Sequence, residues 1–401
     1  MKDPCNPSSP GPDHGMSDLD VSMKIYSVAL VLIGYSMISR ASEIAQPIQS
    51  DLAELIQRLG DDSFATREEA ARELVRHGLT AQPALEQALE HADLEIRLRA
   101  DKLLVIIAKT DLDKRLTAFI NDVEGKHEHD LPGWTKFQSL IGSDRLSRTL
   151  FAEMVRAEPA LLSDYESGPA KVVGSMTLRI QSFISTSVPG ADRESVKPQS
   201  LATLLFIGSD ENVKLETSLG YQFYNLLNQA VAQKAFTDDD RSPITRKLLT
   251  VFLQRQSNNH LLARNGLFLA LRYNMNDVGL SLALNLLKQK NMSTSSIPYA
   301  ILTVSKFGGK EHQELLQGLM DNKTVCHSWH NGRFKDPIRV QVRDVALVAM
   351  IHLTGQKHKD YGFDLLRKSS MMLYEVYTCG FAQEEKRKAA FAKWEKWLAA
   401  K

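Results

Sequence analysis

The chain has 401 residues, a length that predicts about two or three domains. Its 49 basic and 48 acidic residues give a formal net charge of +1, which excludes the strongly positive field that is typical of nucleic-acid-binding proteins. Hydrophobic residues at 43% and charged residues at 24% exclude a wholly disordered chain and a polytopic membrane protein. Few glycines, few prolines and only 7% aromatic residues favour helices over sheets.

The amino terminus has two parts of different composition. Residues 1–22 are rich in proline, glycine, serine and aspartate and are predicted to be a disordered leader. Met23 competes with Met1 as the translation start, because Met23 places Lys24 directly before the apolar run at 25–38. That run is shorter than the roughly 20 residues that a membrane-spanning helix needs, so it is typical of a signal peptide.

The small residues around Arg40 predict where this segment is cut. Ser39 and Ala41 occupy the two positions that a signal peptidase inspects, so residues 23–41 are predicted to be a signal peptide that is cleaved after Ala41. The mature protein is then exported to the bacterial periplasm or secreted. Two alternatives stay open: residues 25–38 are retained as an inner-membrane anchor, or they are simply buried.

Cleavage removes Cys5 and leaves Cys326 and Cys379 in the mature chain. In an oxidising compartment these two cysteines are able to form one disulfide, which would close a long loop near the carboxyl terminus. The alternative is two buried thiols that pack as small apolar side chains.

An internal repeat follows the amino terminus. The segment TREEAARELV from Thr66 aligns with IRLRADKLLV from Ile96 at an offset of 30 residues. A third copy, VRDVALVAM from Val342, keeps the arginine, alanine and apolar residue at i, i+3 and i+7, which lie on one helix face. The structural repeat positions are Arg67, Ala70 and Leu74, then Arg97, Ala100 and Leu104, and finally Arg343, Ala346 and Met350.

At these positions the sequence resembles the HEAT-like (armadillo-type) helical-repeat family, in which Asp-x-x-Val-Arg-x-x-Ala marks the second helix of each hairpin. Asp93, Ile96, Arg97 and Ala100 match that pattern with isoleucine in place of valine. The resemblance is good over 48–110, fair over 338–356 and faint between. It implies an all-α fold, a right-handed α-solenoid of helical hairpins that is irregular in the middle. Ordinary amphipathic helices of an irregular all-α domain are the alternative.

The remaining organisation follows from helix periodicity and its breaks. Amino-terminal repeats are predicted over 48–124, and a boundary is placed in the linker at 125–135, where proline, glycine and charged residues concentrate. An irregular helical-repeat region over 136–401 follows, with helices over 136–158 and 211–235 among others. The tail is predicted to be a capping helix that docks through Phe391, Trp394 and Leu398.

Candidate chemistry is concentrated in the segment 326–336, which reads as a long polar loop. Cys326, His327 and His330 are the weak candidates for a metal site, since adjacent residues seldom bind one ion and no second ligand pair has structural-zinc spacing. Arg333 and Asp336 complete the polar set. The sequence has no P-loop, G-x-S-x-G or H-E-x-x-H motif, so no catalytic residue and no cofactor is assigned.

These patterns predict a non-enzymatic protein-interaction scaffold that presents a helical-repeat surface to a protein partner in an exported compartment. An enzyme or a metal-binding protein that uses the 326–336 loop is one alternative. A membrane-tethered structural protein is the other, and it requires that residues 25–38 are retained.

Overall fold

The structure is a computed structural model that describes residues 45–184, 196–237, 240–257, 259, 262–289, 293–332 and 334–400. The predicted leader and signal peptide, with Met1, Met23, Cys5 and Ala41, lie outside the described residues. Arg333 of the polar segment also lies outside them.

The described part of the chain is mostly α-helical, which confirms the all-α prediction at that level. The chain divides into two compact units, Met1–Asp130 and Leu131–Lys401. Within the described ranges, no helix is both long enough and apolar enough to cross a membrane.

The described part of the first unit is built from α-helices that pack on one another. Its described helices are α1 (Ala45–Arg58), α2 (Phe64–His77), α3 (Gln82–Ala88) and α4 (Leu94–Asn121), with a 3-10 turn at Gly78–Ala81 between α2 and α3. Capping residues set the starts of α2 and α4. Ser63 Oγ accepts a hydrogen bond from the N–H of Thr66, and Asp93 Oδ1 accepts one from the N–H of Glu95.

The core of the first unit lies between these helices. Leucines of α1 pack with Ala70 and Leu74 of α2 and with Ile96 and Ala100 of α4 in one buried cluster. Gly60, just after α1, lies so close to α4 that an added Cβ would meet the Ile96 Cγ1 atom at 2.9 Å. The absence of a side chain at this position therefore allows α1 and α4 to approach each other.

The second unit contains the remaining helices and a small sheet. Its described helices are α5 (Trp134–Ile141), α6 (Arg145–Ala157), α7 (Pro159–Ser167), α8 (Pro169–Ile184), α9 (Pro198–Gly208), α10 (Thr217–Leu227), α11 (Ala230–Thr237), α12 (Ser242–Gln256), α13 (Ala263–Arg272), α14 (Asn276–Lys288), α15 (Ile297–Phe307), α16 (Gln313–Gln317), α17 (Val342–Leu353) and α18 (Glu384–Ala399). Further 3-10 turns lie at Lys310–His312, His358–Tyr361 and Val376–Thr378.

Two packing arrangements occur within the second unit. Helix α9 is buried along its length from Ser200 to Gly208 and contacts α6, α11 and α12, so it is the centre of an irregular helical core. By contrast, α13, α14 and α15 contact one another in chain order, and α15 then contacts α17. Stacking in chain order is how helical repeats bury their apolar faces.

The segment 326–336, which the sequence predicted to be a long loop, starts within a β-strand and then leads to a second strand. Strand β1 (Val325–Trp329) pairs antiparallel with β2 (Ile338–Gln341) in a two-stranded sheet with an irregular register between Val325 and His327. The loop prediction was therefore wrong over 326–329, where the polar side chains gave no clear strand signal. In β2, Ile338 and Val340 are buried while Arg339 is exposed, which is the alternation of a half-buried strand.

Two predicted helices are each divided in the structure. The helix predicted over 136–158 is α5 and α6, because Gly142 adopts a φ of 118° and Asp144 caps α6 through the N–H groups of Leu146 and Ser147. The helix predicted over 211–235 is α10 and α11.

Helix α18 forms in the predicted tail, but its buried face differs from the predicted one. Arg387, Ala390 and Trp394 are buried, whereas Phe391 is half-buried and Leu398 is 45% exposed. The prediction of an entirely apolar docking face was therefore wrong at Leu398, and it missed a buried arginine.

Candidate protein-interaction surface

The two amino-terminal repeat arginines have equivalent surroundings. Arg67 Nη1 donates hydrogen bonds to the carbonyl oxygens of Asp61 and Asp62 at 2.6 and 3.0 Å. Arg97 Nη1 donates to the carbonyl oxygens of His91 and Ala92 at 2.5 and 2.9 Å. Each arginine therefore ties the first turn of its helix to the loop before it, and satisfies carbonyl groups that no helix or strand uses.

The remaining repeat positions of the first unit form the contact between α2 and α4. Ala70, Leu74 and Ala100 are fully buried, and Leu104 packs against the same cluster while partly exposed. Alanine at the shared position allows the two helices to lie close together. Outside this contact, Arg99 bridges Glu68 of α2 and Glu95 of α4 at 2.8 and 2.6 Å.

The third repeat copy is only partly equivalent. Ala346 and Met350 of α17 are buried, as the spacing requires. Arg343, however, donates to Gln341 Oε1 at 2.6 Å, lies 3.6 Å from Glu384 of α18 and lies over the ring of Phe391. Its partners are thus side chains, including those of the last helix, and not the carbonyl groups of a preceding loop.

A closer structural copy lies at α6, and the sequence interpretation missed it. Asp144 caps this helix and Arg148, four residues later, donates to the carbonyl oxygen of Ser143 at 3.2 Å. The spacing from Asp144 to Arg148 is the spacing from Asp93 to Arg97. The copy was missed because the fully buried Phe151 occupies the position where the first two copies have alanine.

Helix α4 carries a second apolar face that lies opposite the core. Leu94, Leu98 and Val105 are 59, 48 and 48% exposed, and their i, i+4 and i+11 spacing places them on one side of the helix. We name these three residues the α4 stripe. Further along the same side of α4, Leu116 and Phe119 are fully buried. This apolar side is therefore exposed at the amino-terminal part of the helix and buried at the carboxyl-terminal part.

The exposed apolar surface extends towards α2. Phe64, the first residue of α2, is 64% exposed, and it occupies the repeat position of Leu94, the first residue of α4. Arg67 lies over the Phe64 ring and also 3.7 Å from Glu95, which links the two helix starts. Large side chains exposed together in this way are typical of interaction surfaces.

Two lysines lie along one flank of the α4 stripe. Lys102 and Lys109 each follow a stripe residue by four positions and are exposed. Neither lysine has an ion-pair partner within the part of the chain that the structure describes. Glu95, seven residues before Lys102 on the same side of α4, forms ion pairs with Arg99 and Arg67. The flank therefore presents unpaired positive charge beside aliphatic side chains.

The hairpin does not gather the candidate metal ligands. Cys326 is the unpaired residue of an irregularity in β1, and it and the adjacent His327 have different contacts. Cys326 Sγ donates to the carbonyl oxygen of Val340, whereas the ring of His327 lies 6.1 Å from that of Tyr377, and His330 follows the strand. Over the described ranges, no group of three or more histidine, cysteine, aspartate or glutamate side chains is arranged to hold a metal ion.

Cys326 and Gly380, the residue after Cys379, both lie close to Val340. Cys326 bonds to the Val340 carbonyl at 3.4 Å, and Gly380 is so close to Val340 that an added Cβ would meet its Cγ2 atom at 2.9 Å. Both thiols are free in this structure. Burial raises the pKa of Cys326 to about 12 and raises that of Cys379 well above its ordinary value. At neutral pH both groups are therefore protonated thiols with little nucleophilic character.

A buried ionic contact joins α17 and α18 in the second unit. Arg387 donates from Nε and Nη2 to the two carboxylate oxygens of Asp344 at 2.9 and 3.1 Å, and both side chains are buried. The Arg387 guanidinium also bonds to Glu384 and to the carbonyl oxygen of Arg339. Burial raises the pKa of Asp344, and Arg387 and the N–H of Gln341 offset part of that rise. The pair fixes the last helix on the hairpin and α17.

A surface cleft of about 450 Å³ lies between the α9–α10 loop and the end of α12. Asp210 lines it, but both of its carboxylate oxygens are engaged. Oδ1 accepts from the N–H of Asn212 at 2.8 Å, and Oδ2 accepts from the Tyr165 hydroxyl at 2.5 Å. Although burial alone would raise the pKa of Asp210, these bonds lower it. This carboxylate is therefore a loop anchor and not a poised base.

Asp122, after α4, has a similar anchoring role. Burial alone would raise the pKa of Asp122. The N–H groups of His127 and Lys126 and the ring of His129 hydrogen-bond to the carboxylate and outweigh burial, so the pKa lies well below the ordinary value. The His129 ring also packs edge-on against Phe119. The aspartate thus holds the loop that closes the buried end of α4.

Comparisons with known proteins give no relative: no family model, no curated protein and no solved structure matches this chain. The candidate site is therefore the α4 stripe with Phe64 and the two flanking lysines, as the geometry alone defines it. The sequence interpretation assigned none of these residues. The signal for them was present, because α4 has apolar residues on two opposite sides and only one side is needed for the core.

Proposed function

We propose that this protein is a non-enzymatic scaffold that binds a protein partner through the exposed apolar surface of its amino-terminal helical repeats. The observation that carries the proposal is the α4 stripe, where Leu94, Leu98 and Val105 are each about half exposed on one side of a helix whose other side is core. Exposed aliphatic residues are stabilised by burial against a partner, at roughly 25 cal/mol for each Å² removed from water.

The architecture in this proposal is an α-solenoid of HEAT-like hairpins that is irregular in the middle. Equivalent arginine contacts at α2 and α4 support it in the first unit, and helices α13, α14 and α15 stacked in chain order support it in the second. The buried α9, which contacts helices that are not adjacent in the chain, corresponds to the irregular middle.

The proposed location is an exported compartment, the periplasm or the cell exterior. Support comes from the sequence at 23–41 alone. Amino-terminal sequencing of the protein isolated from its native cell tests this part of the proposal. We expect the mature chain to begin at Ser42, and a chain that still carries residues 25–38 would contradict cleavage and leave an anchored protein.

The binding proposal is tested by crosslinking in the native cell. Tagged full-length chains carrying Leu98→Gln or Leu178→Gln are compared with the unchanged chain, and crosslinked proteins are quantified by mass spectrometry. Leu178 of α8 is the matched control, because it is 70% exposed and lies in the other unit. Both substitutions replace an exposed leucine in a helix, so we expect each to change stability by less than about 0.5 kcal/mol.

The proposal predicts one or more proteins that are enriched with the unchanged chain and with Leu178→Gln, and that are depleted about tenfold with Leu98→Gln. No enrichment above a tag-only control would contradict the scaffold proposal. Equal enrichment with all three chains would contradict the assignment of binding to the α4 stripe.

A further inference from the structure

We infer that the partner segment that occupies the α4 stripe is an amphipathic α-helix with an aliphatic face and acidic residues along one flank. The inference rests on the proposed function, since it names the chemistry of the segment that the scaffold binds. It goes beyond that function because the flanking charges, and not only the apolar residues, decide which sequences fit.

The shape of the surface matches a helix. The stripe runs from Leu94 to Val105, which is about 16 Å along a helix at a rise of about 1.5 Å per residue. Leu94, Leu98 and Val105 form a narrow row that protrudes from one helix, and a second helix packs such a row between its own side chains at i, i+3 or i+4, and i+7. Phe64 at the start of α2 is exposed as well, and Arg67 lies over its ring.

The charge of the partner follows from the lysine flank. Lys102 and Lys109 are exposed, lack ion-pair partners among the described residues, and lie two turns apart on the same side of the stripe. Along α4, the carboxylate nearest the other flank is that of Asp101, which is half-buried. Glutamate or aspartate residues spaced by seven along the partner helix would therefore meet both lysines, whereas lysine or arginine there would be repelled.

The same charges disfavour a second copy of this chain as the occupant. Two α4 helices that pair antiparallel through their stripes bring equivalent flanks together, so Lys102 and Lys109 would face the lysines of the other copy. A different chain with an acidic flank avoids this repulsion.

The test uses the full chain and two synthetic helical peptides of three heptads. Both peptides carry leucine at positions a and d, and their e positions carry glutamate in the acidic peptide and lysine in the basic peptide. Affinity is measured by fluorescence anisotropy for the unchanged chain, for Lys102→Glu/Lys109→Glu, for Leu98→Gln and for the control Leu178→Gln. Circular dichroism confirms that each variant folds.

The inference predicts that the unchanged chain and Leu178→Gln bind the acidic peptide about tenfold more tightly than the basic peptide, because two charge pairs change sign. Lys102→Glu/Lys109→Glu should reverse that preference, and Leu98→Gln should weaken both peptides about tenfold. Rescue of the basic peptide by the lysine substitutions is the decisive result, since a merely structural effect of those substitutions would weaken both peptides alike.

Four results would overturn the inference. Equal affinity for both peptides, unchanged by the lysine substitutions, would contradict an acidic flank on the partner helix. The scaffold proposal would not be affected by that result, because the crosslinking experiment tests it separately. If neither peptide binds, the inference that the partner segment is an α-helix is contradicted. Concentration-dependent dimerisation that Leu98→Gln abolishes, or binding to vesicles of anionic phospholipid in place of the peptides, assigns the stripe to a second copy or to a membrane surface.

Discussion

Arg387 is the side chain whose loss we expect to destabilise the second unit most. Arg387→Ala leaves the fully buried Asp344 carboxylate without its guanidinium, and breaking a buried ion pair in this way costs about 3–5 kcal/mol. Lys386→Ala is the neighbouring control, because its bond to Asp364 is exposed and should contribute less than about 1 kcal/mol. Urea unfolding of the two variants measures the difference, and equal destabilisation would contradict a special role for Arg387.

The pH dependence of the same variant has a definite sign. Burial raises the pKa of Asp344, and loss of Arg387 removes a group that lowers it, so the pKa rises further in Arg387→Ala. The folded variant then binds more protons than its unfolded state between the two pKa values. Its deficit relative to the unchanged protein should therefore shrink as the pH is lowered from about 7 towards about 5. A double variant, Asp344→Asn/Arg387→Met, should recover part of the loss because no buried charge remains.

The disulfide between Cys326 and Cys379 stays a prediction for the exported protein. The two thiols would each lose one hydrogen to the disulfide of an exported thiol oxidant, which is reduced to its dithiol. Alkylation of the protein in unfolding conditions, with and without prior reduction, counts the thiols. We expect both mature cysteines to be alkylated only after reduction, and alkylation of both without reduction would contradict the bond.

Single residues show where sequence inference works and where it ends. Arg67 and Arg97 were identifiable because each acts on the loop directly before it, so spacing alone carries the signal. Arg387 was not identifiable, since it stands among Lys386 and Lys388 and differs from them only in its contact with a carboxylate that is distant in the chain.

The small residue between α2 and α4 supports a prediction about helix packing. Ala100 is fully buried where the two helices meet, so Ala100→Leu should force them apart and destabilise the first unit by about 1–3 kcal/mol. Ala118→Leu on the same helix is the control, because Ala118 is exposed and the substitution should change stability by less than about 0.5 kcal/mol. Thermal unfolding monitored by circular dichroism measures both, and an unaffected Ala100→Leu would contradict close packing at this position.

Local sequence determined most helices, but it failed where tertiary contacts decide. Gly142 and Asp144 divide a stretch whose apolar periodicity continues on both sides, so the break depends on backbone geometry and capping that periodicity does not report. Strands β1 and β2 are short, and each is stabilised by pairing with the other, so neither has a strong signal alone. The α4 stripe was missed although its apolar residues give a clear signal, because that signal does not show which side of the helix the fold covers.

The proposed function depends on the two opposite apolar sides of α4 having different roles. One side of α4 packs into the core of the first unit, and we propose that the other side binds a partner through Leu94, Leu98 and Val105. The resemblance to helical repeats could be inferred from the first unit because its two copies are adjacent in the chain. The partner surface could not, because exposure depends on which of two apolar faces the fold covers.

The most direct measurement places a photoreactive amino acid at Leu98, and in a parallel sample at Leu178, in the full-length protein in its native cell. Irradiation and mass spectrometry then identify the adducts. The account predicts a discrete adduct with another protein from position 98, through a helical segment with acidic residues, and none from position 178. It is contradicted if position 98 gives no adduct, if both positions give the same adducts, or if the adduct joins two copies of this chain.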